Sequence, residues 1–507
     1  MSDSDDSLTE PDWTEPEFAV PDAAPARWRA RRAHRTPVEP ERGRIAVIAA
    51  VVATVVAIGA IATIVGTPSP PPAPPVADGV TVSPVGSYSS SVFCAAATGT
   101  AATTTIYLTN ATRRPVAGVM SSVGTAGTGG SAPTVRRSVS VPAMATVAEG
   151  LPPGSNASSI VFSGGGVVAS QAVSGPNGWS TAPCASRVAS EWSFAGGATT
   201  TGNALALALY NPAATEAVVN VSFITDNGYE TPQGYQGLVV PPGQLVEENV
   251  GDFVQNASTI ATLVVAQAGG VVSSEFQQWS SGATGGVSLR LGSPQLSTTW
   301  RLAQTTALSQ SVVDLYLANP GPTPATATII VGLSSGSVVP HRVVVPPVSM
   351  VAFAASGTAG LPQQTPYALT VASSVPIVVG RSVQAPPGST PPVFGSSSAT
   401  TAVATRWLVP APGIPSTPAT ANAAVSSLAV ANPGSMPTQV VVSVLGASRP
   451  VARFTVAANG VAVLGSSQVG GLSALTVASS RPVDVEEDSG PSGAPGVVSS
   501  TGFPLDP

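Results

Sequence analysis

Lysine is absent from the 507-residue chain, and all basic character beyond two histidines comes from arginine. Charged residues make up only 9% of the sequence, against about 25% in an average soluble protein. The net charge is −6. A nucleic-acid partner needs a concentrated basic face, so that class is excluded. With two histidines and two cysteines, few side chains remain for metal binding or nucleophilic catalysis, and no cofactor or metal site is expected. Apart from one apolar run, no segment has a sustained helical period, which argues against an all-α fold.

That run is Ile45–Val65, "IAVIAAVVATVVAIGAIATIV", 21 residues with neither charge nor proline. As a helix it would extend roughly 30 Å, the thickness of a bilayer's hydrocarbon core. Seven arginines precede it, Arg27 to Arg44, and none follows until Arg113. The positive-inside rule then predicts a single-pass plasma-membrane protein, N-terminus cytoplasmic and C-terminal region extracytoplasmic, touching the lipid bilayer through one helix. Residues 1–44 read as a disordered cytoplasmic tail. Residues 66–85, with "TPSPPPAPPVADG", read as a proline-rich stalk.

The remainder repeats. Tryptophan opens three stretches, at Trp192, Trp300 and Trp407, spaced 108 and 107 residues apart. Asn-Pro follows an alternating strand at Asn211, Asn319 and Asn432, spaced 108 and 113 residues apart. Phe93 and Asn110 occupy the matching places of a more divergent first copy. Four units are predicted, at 86–186, 187–295, 296–402 and 403–507. Each carries short strands of period-two alternation bounded by turns, as in Leu205, Leu207 and Leu209, then Val219, Val221 and Phe223. Such spacing marks an all-β sandwich or barrel. Asparagine and proline suit the first two places of a turn. Gly321 and Gly434 would supply the positive φ of a type II turn, and Ala213 a type I turn.

The motifs "LYNP", "LANP" and "VANP", with the tryptophan-led unit starts, resemble those of actinobacterial single-pass membrane proteins of a domain-of-unknown-function family. The resemblance covers about residues 86–507 and the anchor. It implies a mainly β fold, with tandem immunoglobulin-like β-sandwich domains on a single N-terminal transmembrane helix. It brings no activity.

Cys94 and Cys184 flank the first unit and are expected to form a disulfide across its ends. "GLSSG" at Gly332–Gly336 matches a nucleophile elbow, with His341 seven residues after Ser334. The elbow needs a strand-to-helix turn, and no helical pattern follows it. Two carboxylate groups, Glu247, Glu248 and Asp252, then Asp484, Glu486, Glu487 and Asp488, read as solvated faces, the second on an edge strand. Trp179, Trp279, Tyr229 and Tyr235 fall near loops and read first as seam or core filling, with glycan contact as the alternative that makes them the candidate site. The expected function is therefore non-enzymatic: a membrane-anchored cell-envelope scaffold or adhesin-like protein, or else a glycan-binding or cell-wall-binding module in envelope assembly. Its expected partners are cell-wall polysaccharide or envelope proteins.

Overall fold

A computed structural model describes residues 80–505, except 97–101, 126–131, 176–177, 282–283, 306–311, 337, 356–357, 359, 363–364, 385–393, 412–423, 470–472 and 492–497. The described chain is mainly β. Its only α-helix is the four-residue Ser466–Val469. The expected membrane location is corrected here. No helix among the described residues is long and apolar enough to cross a membrane, which takes about 20 residues. Ile45–Val65, on which the single-pass anchor rested, lies outside the described residues, as do the tail and residues 66–79 of the stalk.

One eight-strand pattern recurs four times. In the first unit the strands are Ser90–Ala95, Thr103–Asn110, Val116–Gly124, Thr134–Val141, Ala145–Gly150, Ser155–Phe162, Val167–Gly175 and Gly178–Pro183. One sheet orders them first, sixth, third, fourth; the other orders them fifth, second, seventh, eighth. All pairings are antiparallel. The next three units have the same two orders. The second adds a hairpin strand, Gly228–Glu230, between its third and fourth. In the third and fourth units the sixth and seventh strands fuse into Tyr367–Gln384 and Leu475–Pro491, each shared by both sheets. Pro376 and Pro482 stand where the pairing passes from one sheet to the other, a place where a missing N–H costs no ladder bond. The second unit makes the same passage at Gly269, with φ of 70°.

Alternation decides what each strand buries. Leu205, Leu207 and Leu209 pack with Val219, Val221 and Phe223 between the two sheets of the second unit. Trp192, Trp300 and Trp407 are fully buried on the first strands. Their indole N–H groups donate to the carbonyls of Val271, Ile377 and Val483 at 2.8, 2.9 and 3.1 Å. Those carbonyls lie at the passage between sheets, so each tryptophan fills its core and satisfies the backbone at its most irregular point.

The first unit differs by one residue from the register read in the sequence. Phe93 bridges Ala185 as Ser193 bridges Ser293 and Arg301 bridges Thr400. Val92 therefore stands in the tryptophan position. Phe93 points away and packs against the core of the second unit, because a shift of one residue reverses every side chain on a strand. Cys94 and Cys184 are bonded inside the first unit's core.

The Asn-Pro corners also take a form the sequence did not suggest. Gly321 and Gly434 are not at positive φ, so the turns are not type II. Instead the side-chain oxygens of Asn110, Asn211, Asn319 and Asn432 accept the N–H two residues on, at 2.8–3.1 Å. Each unit has a left-handed residue in the turn between its fourth and fifth strands, at Met144, Gly243, Val348 or Asn459. Its N–H donates back to the carbonyl of Thr112, Ala213, Gly321 or Gly434.

Candidate functional site

All four units belong to one compact body, residues 74–507. Within it each unit meets the next, and the fourth meets the first. The end of one unit's third strand approaches the start of the following unit's fifth. Thr125 bridges Leu245, and Leu333 bridges Gly460. Ile224 and Ala261 of the second unit join the third unit's core. Leu408, Leu445 and Phe503 of the fourth unit pack with Val82 and Val168 of the first, and Met144 borders them. The same contact thus propagates head to tail until it closes, as a heterologous interface does when its rotation completes a circle.

The four eighth strands come together at the centre. They meet through hydroxyl groups rather than a backbone ladder. Ser180 Oγ accepts the Leu289 N–H at 2.8 Å, and in the equivalent contact Ser288 Oγ accepts the Ser396 N–H at 3.0 Å. Ser398 Oγ donates to the Leu291 carbonyl at 3.0 Å. Between the strands lies a small cavity of about 70 Å³ to which every unit contributes, among others through Thr181, Arg290, Ser398 and Ser500.

Buried polar and ionic groups lie between the first and seventh strands. In the first unit Gln171 Nε2 donates to the Ala95 carbonyl at 2.6 Å. In the second, Arg290 donates to the equivalent Ala195 carbonyl at 2.7 Å and to Glu275 Oε2 through Nη2 at 2.5 Å and Nε at 3.1 Å. In the third, Arg381 donates to the Gln304 carbonyl and then crosses to the fourth unit, where it pairs with Glu486. Asp488 Oδ1 is 4.0 Å from the same guanidinium. Glu486 Oε2 also accepts the Gln304 N–H at 3.0 Å, and Gln304 Nε2 donates to Ser427 Oγ at 2.9 Å.

This overturns the expected solvated face at Asp484–Asp488. Asp484, Glu486, Glu487 and Asp488 are between 1% and 6% exposed. Their strand, Leu475–Pro491, is central, pairing with strands on both sides in each sheet. Burial, then the neighbouring Asp488, pushes the Glu487 carboxyl up to about 8. Burial and Glu486 raise Asp488 to about 7, with Arg381 and a hydrogen bond from Ser499 pulling the other way. In the second unit, Glu247 is half-buried at the seam and accepts hydrogen bonds from Thr125 and Asn156 of the first. Burial, then Asp252, raises Glu248.

The candidate glycan contacts lie on different elements. Trp179 is buried on an eighth strand. Trp279 stacks on Phe394 of the third unit, centroids 4.8 Å apart and planes 13° from parallel, so it fills a seam. Tyr235 is buried edge-on between Phe223 and Phe253 and donates to the Asn249 carbonyl at 3.1 Å; burial, then Glu248 and Asp252, raise its pKa. Tyr229 alone of the four is exposed, at 53%, on the extra hairpin. Ser334 is exposed in a turn, and the element that follows is the strand beginning at His341, not a helix. Sequence reasoning missed Arg381 and Arg290. Their signal is a lone charge inside an apolar alternating strand.

The family model for a family of unknown function, DUF5719, matches residues 163–417, just over half of the chain. The chain belongs to DUF5719. The matched stretch runs from the first unit's seventh strand to the start of the fourth unit, and so includes the Trp279–Phe394 stack and Arg381. No curated protein matches the chain. Among solved structures, the DUF5719 chain is similar to a Thermotoga maritima protein, 1070, at 19% identity and a TM-score of 0.19, over 20% of this chain and 92% of that one. A tetra-tandem repeat from the extending region of a large adhesion protein matches at 14% identity and a TM-score of 0.11, over 78% of this chain and 93% of that one.

Proposed function

We propose that the chain is a non-enzymatic cell-envelope scaffold or interaction protein, built from four immunoglobulin-like β-sandwiches. The observation that supports this reading is the closed array itself. Arg381, the Trp279–Phe394 stack and the small-residue contacts are committed to holding units together. The disulfide inside the first unit suits an oxidising compartment, where such bonds persist. Crosslinking the full chain in cells should capture a defined envelope component at fixed stoichiometry. Turnover of an envelope substrate by the purified chain, abolished by Ser334→Ala, would overturn the reading.

Glycan binding is a second reading, favoured by one observation. Among the described residues the second unit alone carries the extra hairpin, and that unit leaves Tyr229 and Phe253 about half exposed. Exposed aromatic faces suit sugar stacking. Retention of the full chain on cell-wall polysaccharide, lost in Tyr229→Ala and kept in Trp279→Ala, would support it. Equal retention of both variants would count against it.

A further inference from the structure

The seam between the third and fourth units is charged unlike any other among the described residues. Four of the five residues Asp484–Asp488 are acidic and all four are buried, on a strand enclosed by neighbours. The strands that flank them within their own unit, Ala424–Asn432 and Val498–Thr501, contain no ionisable residue. Across the seam the third unit presents Arg381, with Tyr367 beside it, to Glu486 and Asp488. Arg301 lines the same small cleft as Asp484 at the other end of the acidic run. One fully buried guanidinium therefore faces two seam carboxyls, Glu486 and Asp488, while Glu487, paired opposite the core residue Leu428, lies on the other face of the strand. The comparable pair in the second unit, Glu275 and Arg290, is balanced one to one.

Buried carboxylates beyond those a cation neutralises stay in place only while protonated. We propose that the seam between the third and fourth units is a pH-operated latch, closed while Asp488 holds a proton beside the Arg381–Glu486 pair and loosened as it ionises.

The sign follows from where the protons sit. Burial, then Glu486, raises Asp488 in the closed seam to about 7. Opening to water returns it to the ordinary carboxylate range of about 4. The closed form holds the proton more tightly, so opening releases it. The latch is tightest below about pH 4 and weakens as pH rises toward 7, above which both forms are ionised and nothing further changes. Each linked proton raises the opening constant about tenfold per pH unit within that window. Arg381 sets which charge remains tolerated, since Glu486 pairs with it directly.

Hydrogen–deuterium exchange of the full chain tests this at pH 5.5 and pH 8.5, with protection corrected for intrinsic exchange. Strands Ser297–Thr305 and Leu475–Pro491 should lose at least tenfold in protection at the higher pH relative to strand Ala204–Tyr210. Asp488→Asn should make the two pH values equivalent for strand Ser297–Thr305. If that variant does not fold, Glu486→Gln, which removes the charge that helps hold Asp488 protonated, should shrink the difference. Equal protection of wild type at both pH values overturns the latch, and so does a full pH response in the variant.

Discussion

The side-chain amide of Asn319 donates to the carbonyl of Val345, 26 residues along the chain, at 3.3 Å. It also reaches the carbonyls of Thr323 at 2.8 Å and Pro346 at 3.1 Å, while its oxygen accepts the Gly321 N–H. One side chain thus ties the corner after the second strand to the end of the fourth. Asn110, Asn211 and Asn432 repeat the arrangement. Asn319→Ala leaves buried carbonyls unpaired and should cost about 2–3 kcal/mol. Asn319→Asp keeps the acceptor but sets a carboxylate against those carbonyls, so it should cost no less. Urea denaturation followed by circular dichroism reads both.

Val348 adopts φ of 46° where the second unit has Gly243 and the fourth has Asn459. A β-branched residue in the left-handed region costs about 1–2 kcal/mol. Its side chain is over a third exposed, so little burial offsets that cost. Val348→Asn should therefore stabilise the protein by about 1 kcal/mol, seen as a rise in the calorimetric melting temperature. Asn459→Val should lower it by a similar amount.

Much of the fold is legible in the amino-acid order. Alternation locates the strands, tryptophan spacing locates the repeats, and Asn-Pro marks a corner rather than a ligand contact. Turn type is hidden because the left-handed residue lies in a different loop, pinned to the corner only through space. The place of Phe93 is hidden because "SVFCAAA" offers two apolar registers, and only the bridge to Ala185 selects one. The acidic run misleads because "VDVEED" alternates like a solvated strand. Whether such a strand is central depends on pairing with Ala424–Asn432, more than 50 residues back, as well as with the strand that follows. The seams leave little trace, since glycine, alanine and serine at a close contact look the same as those on a surface.

The Cys94–Cys184 bond closes a sequence separation of 90 residues inside the first unit's core. The chain-entropy model gives about 4–5 kcal/mol for such a loop as an upper value. Cys94→Ala with Cys184→Ala should destabilise the protein by about 2–4 kcal/mol, less than the model because the denatured chain retains some structure. The loss should concentrate in the first unit. Limited proteolysis should cut between residues 90 and 184 first, and reduction of the wild type should reproduce the effect.

Gly380 lies on the third unit's seventh strand against the second unit, where an added Cβ would overlap the Ala195 carbonyl oxygen. Neither partner is a flexible side-chain end, so the clash cannot be relieved by a rotamer change. The backbone must shift, and overpacking of that kind costs about 1–3 kcal/mol or more. Nearby contacts would move with it: the Tyr316 ring that seats on Gly196, and the Trp279–Phe394 stack. Gly380→Ala should therefore weaken the seam between the second and third units, lowering the melting temperature and changing the fluorescence of Trp279. Gly86→Ala is the control, because nothing lies within 4 Å of a Cβ added there, and it should leave both readings unchanged. A Gly380→Ala protein indistinguishable from wild type would mean that the second and third units do not depend on this close approach to stay together.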